Sequence, residues 1–77
     1  MSRFKIQRVF KTEKEFGGDE AAIRLLIDGN QVAEYGDWYH DNGKYKILGF
    51  IAGYCFAKNI EWDGKYDSEE IADPNVY

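Results

Sequence analysis

Cysteine, histidine, proline and methionine occur once each in this 77-residue sequence, and each scarcity closes an option. With Cys55 alone, no disulfide can staple the chain to itself, and a single thiol inside an apolar run reads as a small buried hydrophobe of a reducing compartment. His40 and Cys55, fifteen positions apart, do not make a zinc site, so no metal is expected. Long apolar runs are missing too. Ile47 to Ala57 falls well short of the roughly 20 residues that span a bilayer, and Met1 to Arg8 lacks the apolar core of a secretory signal. The expectation is a cytoplasmic protein without membrane contact. Motifs for small-ligand chemistry are absent as well. Gly17-Gly18 is not followed by the Lys-Ser or Lys-Thr of a phosphate loop, and Asp41-Asn42-Gly43 lacks the alternating oxygen ligands of a calcium loop.

What is present is aromatic and unevenly charged. Thirteen aromatic rings are more than a core of this size readily hides, since a chain of this length buries roughly 60 to 65% of its unfolded surface. Of the net charge of -4, residues 61–77 account for more than the whole: Glu61, Asp63, Asp67, Glu69, Glu70 and Asp73 stand against Lys65. The first fourteen residues hold Arg3, Lys5, Arg8, Lys11 and Lys14 against Glu13. Two readings follow. The acidic tail folds back onto the basic first segment, or it presents carboxylates and the rings of Trp62, Tyr66 and Tyr77 to a basic partner. The overall sign disfavours direct nucleic-acid binding, which needs a clustered basic footprint.

Hydropathy patterning predicts an α+β domain over residues 1–60 followed by an acidic, aromatic tail, 61–77. A first strand over Arg3 to Thr12 places Val9 beside Phe10, which suggests a bulge near Arg8. Ala22 to Asp28 alternates, with Ile23, Leu25 and Ile27 on one face. Asp28-Gly29-Asn30 is a hairpin signal, and in either two-residue loop Val32 of the returning strand, Gln31 to Asp37, lands on that same face while Ala33 and Tyr35 take the other. A helix capped by Asp41 or Asn42 then carries the stripe Ile47, Phe50, Ile51, Tyr54, Cys55 and Lys58. The fold so read is a small three-stranded antiparallel sheet packed against one C-terminal amphipathic helix, β-β-β-α. In the tail, Ile60 to Trp62 could add a short edge strand and Ser68 to Ala72 a helix that Asp73-Pro74-Asn75 ends.

That helix has a second apolar side. Leu48, Gly49, Ala52, Gly53, Phe56 and Ala57 lie off the core stripe, with no charge between Lys46 and Lys58. An apolar patch of this kind marks an interface, through self-association or a foreign partner, unless Trp62 and Tyr66 of the tail fold over it. Candidate chemistry is thin. Asp37, His40 and Asp41 cluster, but no nucleophile can be assigned beside them, and they read more simply as turn and cap residues of a protein that is not an enzyme.

The order of a hairpin, then Gly36-Asp37-Trp38-Tyr39-His40-Asp41, then the run Ile47-Leu-Gly-Phe-Ile-Ala-Gly-Tyr-Cys-Phe-Ala57, resembles small accessory proteins encoded by bacteriophages and prophages across residues 20–60. The resemblance implies a host-takeover or anti-defence protein, the class that includes anti-CRISPR proteins, acting in the bacterial cytoplasm by stoichiometric binding and without a cofactor. It carries no residue roles with it. From the residues themselves, Trp38, Tyr39, Trp62 and Tyr66 are candidate partner anchors, with Asp63, Asp67, Glu69 and Glu70 supplying charge toward a basic site on a host defence effector or nucleic-acid-binding protein. Trp38 equally suits closing the end of the core. Leu48, Gly49, Ala52, Gly53 and Phe56 are the candidate self-association residues of a homodimer. Two other roles remain open: sequestering a small nucleotide signal between protomers through Arg24, Lys44 and Lys46, or serving as an assembly subunit.

Overall fold

The computed structural model describes residues 2–76, so Tyr77 lies outside the described residues. In order along the chain are β1 (Phe4–Phe10), a single 3-10 turn (Glu13–Glu15), β2 (Ala22–Ile27), β3 (Asn30–Tyr35), α1 (Gly43–Ala57) and β4 (Asp67–Ala72). The architecture is α+β, with one small sheet and one helix. Two expectations are corrected. The sheet has four strands in the order β3-β2-β1-β4 and is mixed, because β4 runs parallel to β1. The helix is therefore not C-terminal to the sheet: it crosses from one edge strand, β3, to the other, β4.

The parallel strand is made from the segment expected as a tail. Asp67-Ser-Glu-Glu-Ile-Ala72 has the alternation of a strand with one open face, half-buried at odd positions and exposed at even ones. Charge favours its place beside β1, where Lys5 reaches Glu69 and Arg8 reaches Glu70, each at 3.8 Å. Gln7 Nε2 also donates to Glu69 Oε1 at 2.5 Å. Ser68 to Ala72 is thus strand and not helix, while Ile60 to Trp62 has no strand partner.

The β2–β3 hairpin turns on Asp28 and Gly29, both at positive φ (53° and 84°), the backbone that a two-residue turn matching strand twist requires. One residue later the pairing shifts, from Leu26 opposite Gln31 to Leu25 opposite Ala33. Val32 is the extra residue of this bulge, so every later side chain changes face. Ala33 and Tyr35 pack against the core, and Val32 is exposed, the reverse of the expected parity. The bulge expected near Arg8 is not found: β1 pairs without interruption on both sides. Val9 and Phe10 are both buried because they serve different clusters, Val9 with Ala22 and Val76, Phe10 against the ring of Phe16 at 5.2 Å.

The main core joins Phe4, Ile6, Ile23, Leu25 and Ile27 of the sheet to Ile47, Ile51 and Cys55 of α1. Fully burying each large aliphatic side chain contributes roughly 1.5–3 kcal/mol. The helix docks on a ridge of every fourth residue, Gly43, Ile47, Ile51 and Cys55. Phe50, expected within the core stripe, lies at its margin, 37% exposed. Neither expected cap acts through its side chain: Asn42 holds the N-cap at φ 58° with no side-chain bond, and Lys44 N donates instead to the Trp38 carbonyl. At the other end Asn59 is left-handed, Ile60 N donates to Cys55 O and Asn59 N to Phe56 O, which closes the helix as a Schellman motif and turns Ile60 onto the core.

Glycines in this helix meet opposite surroundings. A Cβ on Gly43 would overlap the Ile23 methyl and the carbonyl oxygens of Gly36 and Asp37, whereas one on Gly53 meets nothing within 4 Å. Gly43→Ala should therefore destabilise the protein by about 1–3 kcal/mol. Gly53→Ala should stabilise it by up to about 1 kcal/mol through helix propensity. Thermal unfolding of the two variants should move in opposite directions, by roughly 4–8 °C per kcal/mol.

Candidate functional site

Docking the Gly43-Ile47-Ile51-Cys55 ridge on the sheet dictates which residues α1 turns to solvent. At spacings of four, three and four these are Tyr45, Gly49, Ala52 and Phe56, with Gly53 and Ala57 beside them. Phe56 is 89% exposed and Tyr45 71%, the most exposed of the large hydrophobic side chains among the described residues. Gly49, Ala52 and Gly53 are exposed, and Leu48 is half-buried at the rim. Tyr45 was not among the candidates, although its position one turn before Gly49 places it on the same face and was readable from spacing alone.

Nothing among the described residues covers this face. Trp62 and Tyr66, one possible cover, pack on the main core. Trp62 meets Phe4 edge-on at 6.1 Å and donates its Nε1 to the Lys65 carbonyl at 3.0 Å. The residues flanking the face on α1 are basic. Lys46 bends back to place its ammonium 5.7 Å from the centroid of the Tyr35 ring, which leaves the centre of the face free of charge.

The candidate partner anchors are dispersed. Trp38, Trp62 and Tyr66 are half-buried against the core, and only Tyr39 stands out in solvent. Tyr39 lines a polar cleft with Arg8, Gly18, Asp19, Glu20, Asp37 and His40. Asp37 organises the turn: its Oδ1 accepts from the backbone N–H of Tyr39 at 3.1 Å and of His40, and its Oδ2 lies 3.2 Å from His40 Nδ1. Asp41 places its carboxylate where a side chain on Gly36 would sit. Of the candidate acids, Glu69 and Glu70 are engaged by β1, Asp67 accepts from Ser2 N, and Asp63 accepts from Lys65 N. The residues considered for a nucleotide pocket are not brought together. Arg24 leaves the sheet face opposite α1 and is held by Glu34 at 2.5 Å and Asp73 at 3.0 Å, while Lys44 and Lys46 belong to the helix side.

Sequence reading passed over Glu20, whose side chain is only 5% exposed. Its two oxygens accept from Arg8 Nε at 2.6 Å and from the backbone N–H of Trp38 at 3.2 Å, which ties the long β1–β2 loop to the segment that launches α1. Its position beside two glycines and an aspartate gives no periodic signal; only the fold reveals it.

Three carboxyls hold the loops and titrate below their ordinary value. A hydrogen bond from Arg3 lowers Asp28. The backbone N–H of Asn75 and then the Arg24 guanidinium lower Asp73. At Asp37 partial desolvation pushes upward, but the N–H groups of His40 and Tyr39 and the imidazole outweigh it. A depressed folded-state value means stability that is present above the unfolded value near 3.8 and lost as pH falls through the lower folded values. The melting temperature should accordingly drop as pH falls below about 4, and Asp73→Asn should show a shallower drop there in a pH series of thermal melts. The chain matches no protein-family model, no curated protein and no solved structure.

Proposed function

We propose that this protein acts without catalysis, by stoichiometric binding to another protein, and that the outer face of α1 is its docking surface. The carrying observation is the uncovered outer face of α1, with Tyr45 and Phe56 near its ends and no charged residue between Lys46 and Lys58. Leaving two rings this exposed gives up hydrophobic stabilisation that a partner restores, and an aromatic side chain brings large contact area with few rotatable bonds. A rigid helix pinned by the Ile47-Ile51-Cys55 ridge presents that surface with little ordering cost on binding. The resemblance of residues 20–60 to phage and prophage accessory proteins supplies the setting: the target is a host defence protein in the bacterial cytoplasm, and the action is occlusion of a working surface. The excess of acids over bases in residues 61–77, of which Lys5 and Arg8 engage only Glu69 and Glu70, favours a target with basic surroundings, such as a nucleic-acid channel.

The test is neutralisation. Bacteria carrying nucleic-acid-targeting defence systems and expressing this protein should regain phage sensitivity in one of those strains. Phe56→Glu, a surface substitution that leaves the core untouched, should abolish the effect at equal soluble abundance. A panel in which wild type neutralises nothing would overturn the anti-defence role, and equal activity of Phe56→Glu and wild type would remove α1 as the docking surface.

A further inference from the structure

The dipeptide that starts α1 carries covalent chemistry of its own. Asn42-Gly43 is the single Asn-Gly step in the sequence, whereas Asn30, Asn59 and Asn75 precede Gln31, Ile60 and Val76. Asparagine before glycine is open to attack by its own main chain, because a glycine nitrogen has no side chain beside it to shield the approach. The Gly43 nitrogen gives its proton to solvent base and bonds to Asn42 Cγ; the bond from Cγ to the amide nitrogen breaks, and ammonia leaves with a proton returned by solvent. Water then opens the cyclic imide at either carbonyl. One opening restores the ordinary main chain with an aspartate, and the other routes it through the β-carbon as iso-aspartate. The net change takes up water and releases ammonia, with no oxidant or reductant.

Both reacting groups are available. Asn42 is exposed and its side chain makes no bond to the helix start, and the Gly43 N–H finds no backbone acceptor among the described residues. Conformation is what withholds the reaction. With Asn42 at φ 58° and ψ 25°, the Gly43 nitrogen lies close to eclipsing Asn42's own nitrogen and is turned away from Cβ. Rotating it against Cγ lifts Gly43 from a position where the Ile23 methyl and the carbonyl oxygens of Gly36 and Asp37 leave no room even for a Cβ. Reaction therefore passes through molecules whose first helical turn has opened. That turn is lightly fastened, with no side-chain cap and no acid in it, and a helix end opens at lower cost than the whole fold.

We propose that Asn42-Gly43 is a site of spontaneous deamidation whose rate is set by opening of the first turn of α1, and that the iso-aspartate product keeps that turn from reseating. Iso-aspartate adds a main-chain carbon immediately before Gly43, where the packing has no space, whereas the aspartate product alters only an exposed side chain. Tyr45 follows two residues later, so a turn that cannot reseat displaces one end of the outer face of α1. This last consequence rests on reading α1 as the docking surface; the modification and its effect on stability do not.

The experiment is timed incubation of the full chain in warm, mildly alkaline buffer, with and without denaturant, followed by peptide mapping by mass spectrometry and enzymatic methyl-labelling of iso-aspartate. Folded wild type should convert at Asn42 ahead of Asn30, Asn59 and Asn75, and denaturant should speed that conversion by about tenfold or more. Asn42→Gly, which suits the positive φ, should keep the fold and lose the modification. Aged wild type should melt below fresh protein, and aged Asn42→Gly should not. Equal rates in folded and denatured protein, or earlier conversion at another asparagine, would overturn the gated site, as would a folded chain that never converts at Asn42 while the denatured chain does. Aged wild type rich in iso-aspartate with an unchanged melting temperature would overturn the failure to reseat. No target enters these measurements, so their outcome is separate from that of the neutralisation test.

Discussion

Everything in this fold depends on β1 being claimed from both sides. Its partner on one side, β2, is a near neighbour in sequence, while its partner on the other, β4, comes from the far part of the chain. That second pairing converts an acidic segment that looks like a tail into the edge of the sheet and forces α1 to cross between the two edges. The opposite signs of the two segments, Lys5 with Glu69 and Arg8 with Glu70, favour the register but are half-exposed and contribute modestly. The backbone ladder and the Val9, Ala22, Val76 cluster on the opposite sheet face hold it.

The elements easiest to read from the sequence were those whose side chains answer to one neighbour. The alternation of Ile23, Leu25 and Ile27 and the four-residue spacing of Ile47, Ile51 and Cys55 identified the two halves of the core, since each pattern reports a single buried face. Val32 misled because a bulge inserts one residue without changing composition, and the parity of a strand reverses at once. Residues 67–72 were obscured for a different reason. Glutamate and aspartate have low strand propensity, and the partner that makes this strand worthwhile lies some sixty residues away, where no local pattern can register it. Asp41 and Asn42 looked like caps, yet the carbonyl of Trp38 satisfies the helix start, a bond that depends on the path of the preceding turn.

The candidate site divides in the same way. The apolar outer side of α1 was legible because a helix on a sheet must leave one side outward, and the residues there are uncharged. The proposed anchors among the other aromatics were not separable by sequence. Trp38, Trp62 and Tyr66 are each drawn into the periphery of a core too small to enclose them, which accounts for much of the aromatic surplus. Tyr45 and Phe56 on α1, with Tyr39 in the preceding turn, are the rings that this internal demand leaves most exposed among the described residues. The residues of α1 that pack on the sheet and those left to solvent are thus separated by less than half a turn of azimuth on one element.

The parallel pairing of β4 with β1 also bears on how the molecule is reached from an unfolded chain. The β2–β3 hairpin closes on a two-residue turn and the β1–β2 loop spans only residues 11–21, so the meander can form from nearby segments, but the open side of β1 must wait for residues that follow the helix. Until then its unpaired N–H and C=O groups stand exposed beside an apolar layer, as on any unprotected sheet edge. Closing the long loop from β1 to β4 carries a larger entropic cost than closing the hairpin or forming the helix, and this non-local pairing raises the contact order of the fold, which slows folding.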